Sequence, residues 1–139
     1  MDTIYTDGSC LVNPGGPGGW GFVHISPLGE EKSQQYGRLK EHPSITNNFA
    51  EYVAVLQALK YYIGLKSPGP LRIRSDSKML INQLGGSWRV NEAPYKKVWE
   101  RVIDLLETVD FEILWEWIPR KQNMIADGLS KKGSGAVSR

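Results

Sequence analysis

Thr6 to Gly21, TDGSCLVNPGGPGGWG, is the stretch on which the reading of this chain turns. Gly16, Gly18 and Gly21 stand at G-x-G-x-x-G spacing, the pattern of a loop that cradles a dinucleotide pyrophosphate. That use needs a strand before the glycines and a helix opening on them, so that helix N–H groups face the phosphates. Here Pro14 and Pro17 interrupt the run. The next segment, WGFVHI from Trp20 to Ile25, is β-branched, aromatic and alternating, as a strand is. The glycines therefore turn the chain in a tight, irregular hairpin, and the dinucleotide fingerprint is a false match. Asp7, which closes the strand-like segment TIYTDGS, is left as the residue of interest.

Reading outward, TIYTDGS (3–9), GWGFVHIS (19–26) and EKSQQYGRL (31–39) succeed one another with a turn at Pro27 to Gly29, which predicts an antiparallel meander. From Asn48 to about Leu65 the pattern is helical, with Thr46 as candidate N-cap. LRIRSD (71–76) reads as a strand and Ser77 to Leu84 as a short helix. In APYKKVWERVIDLLETV (93–109), Val98, Val102, Leu105 and Leu106 recur at helical spacing. FEILWEWIP (111–119) is a last strand, and NMIADGLSKKG (123–133) a last helix stopped by Gly133. This order implies an α/β fold with a mixed sheet covered by helices. One domain is expected over residues 1–133, with a flexible tail at 134–139.

The 139 residues are enough for one domain with a proper core. At 40% hydrophobic and 23% charged, the composition is that of an ordinary globule, and no apolar run is long enough to span a bilayer. No secretion signal is visible. The lone Cys10 forms no internal disulfide, and two histidines, His24 and His42, make no zinc site of familiar spacing. These features point to a cytoplasmic protein. A net charge of +2, from seventeen basic and fifteen acidic residues, permits nucleic-acid binding without arguing for it.

Four acidic residues sit where a structural role is possible but a functional one reads better. Asp7 could organise the adjoining loop through an Asx-turn. Glu51, in the first turn of its helix, shares a face with Ala54, Val55, Ala58 and Tyr62, where a lone carboxylate is costly unless it has partners or a nearby cation. Asp76, closing LRIRSD, could equally cap the next helix. Asp127 lies four residues before Lys131 and could be an exposed ion pair of little worth. Together they say more. If the first and fourth strands are parallel neighbours, Asp7 and Asp76 project from the C-terminal edge of the sheet, within reach of Glu51. Such a group repels itself unless cations neutralise it. An all-oxygen donor set without Cys or His selects Mg²⁺ or Mn²⁺, and two such ions roughly 3.5–4 Å apart are the usual clamp for in-line phosphoryl transfer.

TDGSCLVNPGGPGGWG, TNNFAEYVAVLQAL, RSDS and WIPRKQNMIADGLS occur in the order and spacing of the type 1 ribonuclease H family, which the chain resembles over nearly its whole length. The resemblance implies a ribonuclease H-like fold, a five-stranded mixed sheet in which strands 1–3 form an antiparallel meander and strands 1, 4 and 5 run parallel. It implies an endonuclease that cuts the RNA strand of RNA–DNA hybrids, leaving a 3′-hydroxyl and a 5′-phosphate. The family's acidic quartet, catalytic and metal-binding, falls on Asp7, Glu51, Asp76 and Asp127, the last assigned mainly by the resemblance. Asn13, Asn47 and Asn48 match positions that contact the minor groove, where amides that donate and accept suit recognition of 2′-hydroxyls. Thr46 and Asn91 resemble a pocket for a phosphate of the DNA strand.

Two departures from the family pattern stand out. GGSWRVNEAPYKK replaces a long basic protrusion that grips the hybrid, and Trp88 in that loop either packs in the core or touches nucleic acid. The histidine that many relatives carry before the fourth acidic residue is absent from WIPRKQNMIAD, where Arg120 or Lys121 supplies positive charge without a histidine's ability to shuttle protons. Arg120 is accordingly a candidate substrate contact. Two alternatives stay open: cleavage of double-stranded RNA by the same fold, and a non-catalytic module that binds hybrid. No dimerising face is evident, which suggests a monomer.

Overall fold

The computed structural model describes residues 1–66 and 68–135. Its five-stranded sheet has the order β3-β2-β1-β4-β5, built from β1 (Asp2–Cys10), β2 (Gly18–Ile25), β3 (Glu31–Leu39), β4 (Leu71–Ser75) and β5 (Ile113–Trp117). β1, β2 and β3 are antiparallel neighbours, while β1, β4 and β5 run parallel. The expected ribonuclease H-like α/β sheet is therefore the observed one.

Among the described residues, four helices cover it: α1 (Asn47–Ile63), α2 (Lys78–Leu84), α3 (Lys96–Leu106) and α4 (Met124–Ser134). α1 lies on β1 and β2, with α3 packed against α1, and α2 sits beside β4 and β5. Ile4, Phe22, Leu71 and Ile73 from the sheet meet Tyr52, Val55, Leu59 and Tyr62 from α1 to form the main core, all essentially out of solvent. The alternation of Leu71 and Ile73 along β4 is what the pleat requires for a face buried under a helix. Within the same residues, no helix is long and apolar enough to cross a membrane.

The opposite face is covered by α4, and glycines allow it. A Cβ on Gly19 would overlap the main chain at Ser130 and Ser134, and one on Gly21 would meet Leu129 and Ser130. The hairpin that precedes β2 turns on Gly15 and Gly16, at φ 119° and 77°, conformations that disfavour side chains. The Gly-rich stretch thus turns the chain and makes room for α4, and a strand rather than a helix follows it.

Several boundaries shift from those expected. β1 runs on to Cys10 because β2 pairs with it as far as Gly18, so Asp7 lies inside the strand rather than at its end. α1 begins at Asn47, which places Glu51 in the second turn. α4 continues to Ser134, with Gly135 taking the left-handed cap in place of Gly133. Gly133 and Ser134 are buried against the sheet, and residues 136–139 of the expected tail lie outside the described residues. Trp88 is about half exposed, at 51%, and so is not a core residue.

Candidate active site

The parallel register of β1 and β4 builds the site. Tyr5 stands opposite Arg74, and the same register two residues further on brings Asp7 beside Asp76, just past the end of β4. α1 approaches this edge so closely that a Cβ on Gly8 would overlap Ala50 and Glu51. The result is that Asp7, Glu51 and Asp76, from three separate elements, each present a carboxylate oxygen within 4.8 Å of the other two.

Asp76 does not cap α2. That role belongs to Ser77, whose hydroxyl accepts from the Leu80 N–H. The main-chain carbonyl of Asp76 accepts from the Trp117 indole N–H at 3.1 Å, which fixes the backbone that carries the carboxylate. Asp7 makes no Asx-turn. Its Oδ2 lies 2.8 Å from Ser130 Oγ on α4, and the same hydroxyl is 2.9 Å from the carbonyl oxygen of Asp127.

Asp127 enters the same cleft from α4 but is held differently. Its two oxygens lie 3.1 Å from Lys131 Nζ and 3.7 Å from the Arg120 guanidinium. The expected pair with Lys131 is present, but Asp127 itself is buried rather than exposed. Asp7, Glu51 and Asp76 have no such cation at hand in the ion pairs of the described residues. The quartet therefore divides into a bare triad and one neutralised member.

That division sets the electrostatics. Burial, then the Asp76 charge, raises the Asp7 carboxyl to about 8, against the pull of the Ser130 hydroxyl. Burial raises Glu51 to about 7, with Ser77 opposing and Asp76 adding. Asp76 is also pushed above its ordinary value, first by burial, while the Asn123 amide and Arg120 pull it back. Three carboxylates crowded in a desolvated corner cannot all ionise unless a cation joins them.

The donor set fits a hard divalent ion: all oxygen, clustered, and under-neutralised. Cys10 lines the same cleft, but its thiol is turned toward the carbonyls of Val12 and Ile45. His24 is buried elsewhere between Asp2 and Tyr61, and His42 lies in the loop before Pro43. The cleft is open and about 630 Å³ in volume, with Asn47, Trp117, Pro119 and Arg120 on its walls beside the acidic residues.

The other sequence candidates scatter in an informative way. Asn13 Oδ1 accepts from the Asn47 main-chain N–H at 3.3 Å, so the hairpin and the start of α1 form one surface. Thr46 is the N-cap of α1, accepting from the Phe49 N–H at 3.0 Å. Asn48 is exposed next to Asn47, and Asn91 is exposed in the loop between α2 and α3; neither lines the cleft. Sequence reasoning passed over Ser130, Trp117 and Asn123, which reach the acidic residues only through contacts between distant elements.

The ribonuclease H family model matches residues 2–135. The chain belongs to the ribonuclease H family. It is similar to a ribonuclease H of Syntrophus aciditrophicus, 33% identical over 146 residues, covering 95% of this chain and 79% of the relative. Among solved structures, LC11-RNase H1 in complex with an RNA/DNA hybrid superposes with a TM-score of 0.85 at 28% identity, over 97% of each chain. The N-terminal RNase H domain of a Mycobacterium tuberculosis protein superposes equally well, with a TM-score of 0.85 at 27% identity, over 96% of this chain and 93% of that one. This ribonuclease H family member thus shares its architecture with relatives at modest sequence identity.

Proposed function

We propose that this ribonuclease H family member hydrolyses the RNA strand of RNA–DNA hybrids internally, leaving 3′-hydroxyl and 5′-phosphate ends. Two divalent ions, Mg²⁺ or Mn²⁺, are its cofactors, held by Asp7, Glu51, Asp76 and Asp127. The observation that carries the reading is the bare triad, whose carboxylate oxygens lie within 4.8 Å of one another at the floor of an open cleft. Binding a polyanion gains nothing from such a cluster, so a purely hybrid-binding module is the weaker account. That LC11-RNase H1 was solved with an RNA/DNA hybrid supports the same substrate here.

The chain's own residues then have distinct tasks. Asp7 lies on β1 and Asp76 directly past the end of the adjacent parallel β4, so the sheet sets where both carboxylates start from. Glu51 closes the third side from α1. Bound by these carboxylates, divalent cations supply Lewis-acid stabilisation of charge on the attacking and leaving oxygens of an in-line displacement. Asn13, Asn47 and Asn48 form the surface that meets the minor groove, and their amides discriminate 2′-hydroxyls from deoxyribose. Thr46 and Asn91 flank the path of the DNA strand. Arg120, 70% exposed at the cleft wall, contacts a phosphate.

The test is a cleavage panel with end-labelled hybrid, double-stranded RNA, DNA duplex and single strands, each in Mg²⁺, Mn²⁺ or chelator. Cutting confined to the RNA of the hybrid, and abolished by chelator, is expected. Equal cutting of double-stranded RNA would broaden the substrate. Binding of hybrid without any cutting in either metal would replace the enzyme with a binding module.

A further inference from the structure

Asn123 is neither an acidic ligand nor a cleft-wall residue, yet its side chain is almost wholly enclosed beside the catalytic edge. It is 1% exposed and sits where the 3₁₀ turn Arg120–Gln122 passes into α4. Asparagine is common at a helix N-cap because its side chain accepts from the first turn. Here it makes no such bond. Its Nδ2 instead reaches 117 residues back along the chain to donate to the main-chain carbonyl of Thr6 at 2.9 Å, one residue before Asp7.

The surroundings fix which end of the amide points where. The Thr6 carbonyl can only accept, so the NH₂ end must face it. The other end, Oδ1, is buried without a partner among the described residues, a costly state for an amide chosen only to fill space. The main chain completes the pattern: the carbonyl of Asn123 accepts from the Asp127 N–H at 3.0 Å.

We infer that Asn123 is a positioning residue for the acidic site. Its side chain ties the start of α4, four residues before Asp127, to the backbone beside Asp7. One residue thereby holds the helix that carries Asp127 against the strand that carries Asp7. Like charges left to themselves move apart, and a cation binds best where they are already held together. The inference rests on reading the acidic cluster as a cation site, and the experiment separates the two.

Metal-free wild type and Asn123→Leu, a change that keeps the branched outline of the side chain and removes the donor, are titrated with Mg²⁺ alone in a calorimeter. Hybrid cleavage is measured in parallel at saturating substrate. Loss of a group that orients metal ligands typically costs 10–100-fold in affinity. Mg²⁺ binding weakened by roughly that factor, with the KM for hybrid unchanged, is expected. A folded variant with wild-type Mg²⁺ affinity overturns the inference. If wild type itself binds no Mg²⁺, the cation-site reading falls first and takes the inference with it. Should the leucine variant not fold, Asn123→Ala takes its place in the same titration; weakened Mg²⁺ binding supports the inference, and wild-type Mg²⁺ affinity in the folded alanine variant overturns it.

Discussion

The sharpest consequence of the acidic cluster is that the metal-free protein becomes less stable as pH rises through neutrality. Asp7 carries the effect. Its carboxyl sits at about 8 in the folded chain against an ordinary 3.8, raised by burial and by the Asp76 charge. A group whose folded pKa is raised binds more protons folded than unfolded, so it stabilises relatively at low pH and the benefit disappears as pH climbs toward the folded value. With each unit worth about 1.4 kcal/mol, the loss between pH 5 and pH 8 is on the order of 3–4 kcal/mol from Asp7 alone. Glu51, raised to about 7, acts in the same direction, completing its loss nearer pH 7. Asp7→Asn keeps the shape and an acceptor for Ser130 while removing the charge. Denaturant melts in chelator at pH 5, 6, 7 and 8 supply the assay. Wild type should lose stability across the series, the variant should lose distinctly less, and the variant should be the more stable of the two at pH 8. Saturating Mg²⁺ should flatten the wild-type curve, because the ion replaces the protons. A wild-type stability that stays level from pH 5 to pH 8 in chelator would refute the reasoning.

Other perturbations probe the same geometry. Asp76→Asn and Glu51→Gln should each lower kcat on hybrid by orders of magnitude while leaving the far-ultraviolet circular dichroism unchanged; near-normal turnover by either would reject the shared-cation site. Asn47→Ala or Asn48→Ala should narrow the preference for hybrid over DNA duplex in competition binding, and an unaltered preference would remove them from the contact surface. Gly21→Ala should destabilise the fold by at least roughly 1–3 kcal/mol, since its Cβ has no room beneath α4, and melts at one pH suffice to read it.

Much of this architecture can be read from residue order because it rests on local periodicity. EKSQQYGRL delimits β3 as observed, and Thr46 caps α1 as its position suggests. Less legible are features in which an absent side chain does the work. Gly19 and Gly21 fall within the strand that GWGFVHIS suggests, but the alternation gives no sign that their missing side chains make room for α4, the helix that carries the buried Asp127. Glu51 could be recognised as unusual from the apolar face it shares with Ala54 and Ala58. Its company is legible only on the condition that the first and fourth strands are parallel neighbours, because the meeting with Asp7 and Asp76 depends on strand register. Asn123 and Ser130 are harder still, as nothing within a few residues of either hints at bonds to Thr6 and Asp7. Contacts between elements more than 100 residues apart leave no trace in a local pattern.

In this account of the site, a divalent cation takes the place of protons shared by crowded carboxylates. Calorimetric titration of Mg²⁺ into metal-free protein at pH 7, repeated in buffers of different ionisation enthalpy, counts those protons directly. With Asp7 at about 8 and Glu51 at about 7, binding should release on the order of one proton, and Asp7→Asn should reduce the number. Mg²⁺ that binds with no proton release, equally well in wild type and Asp7→Asn, would contradict it.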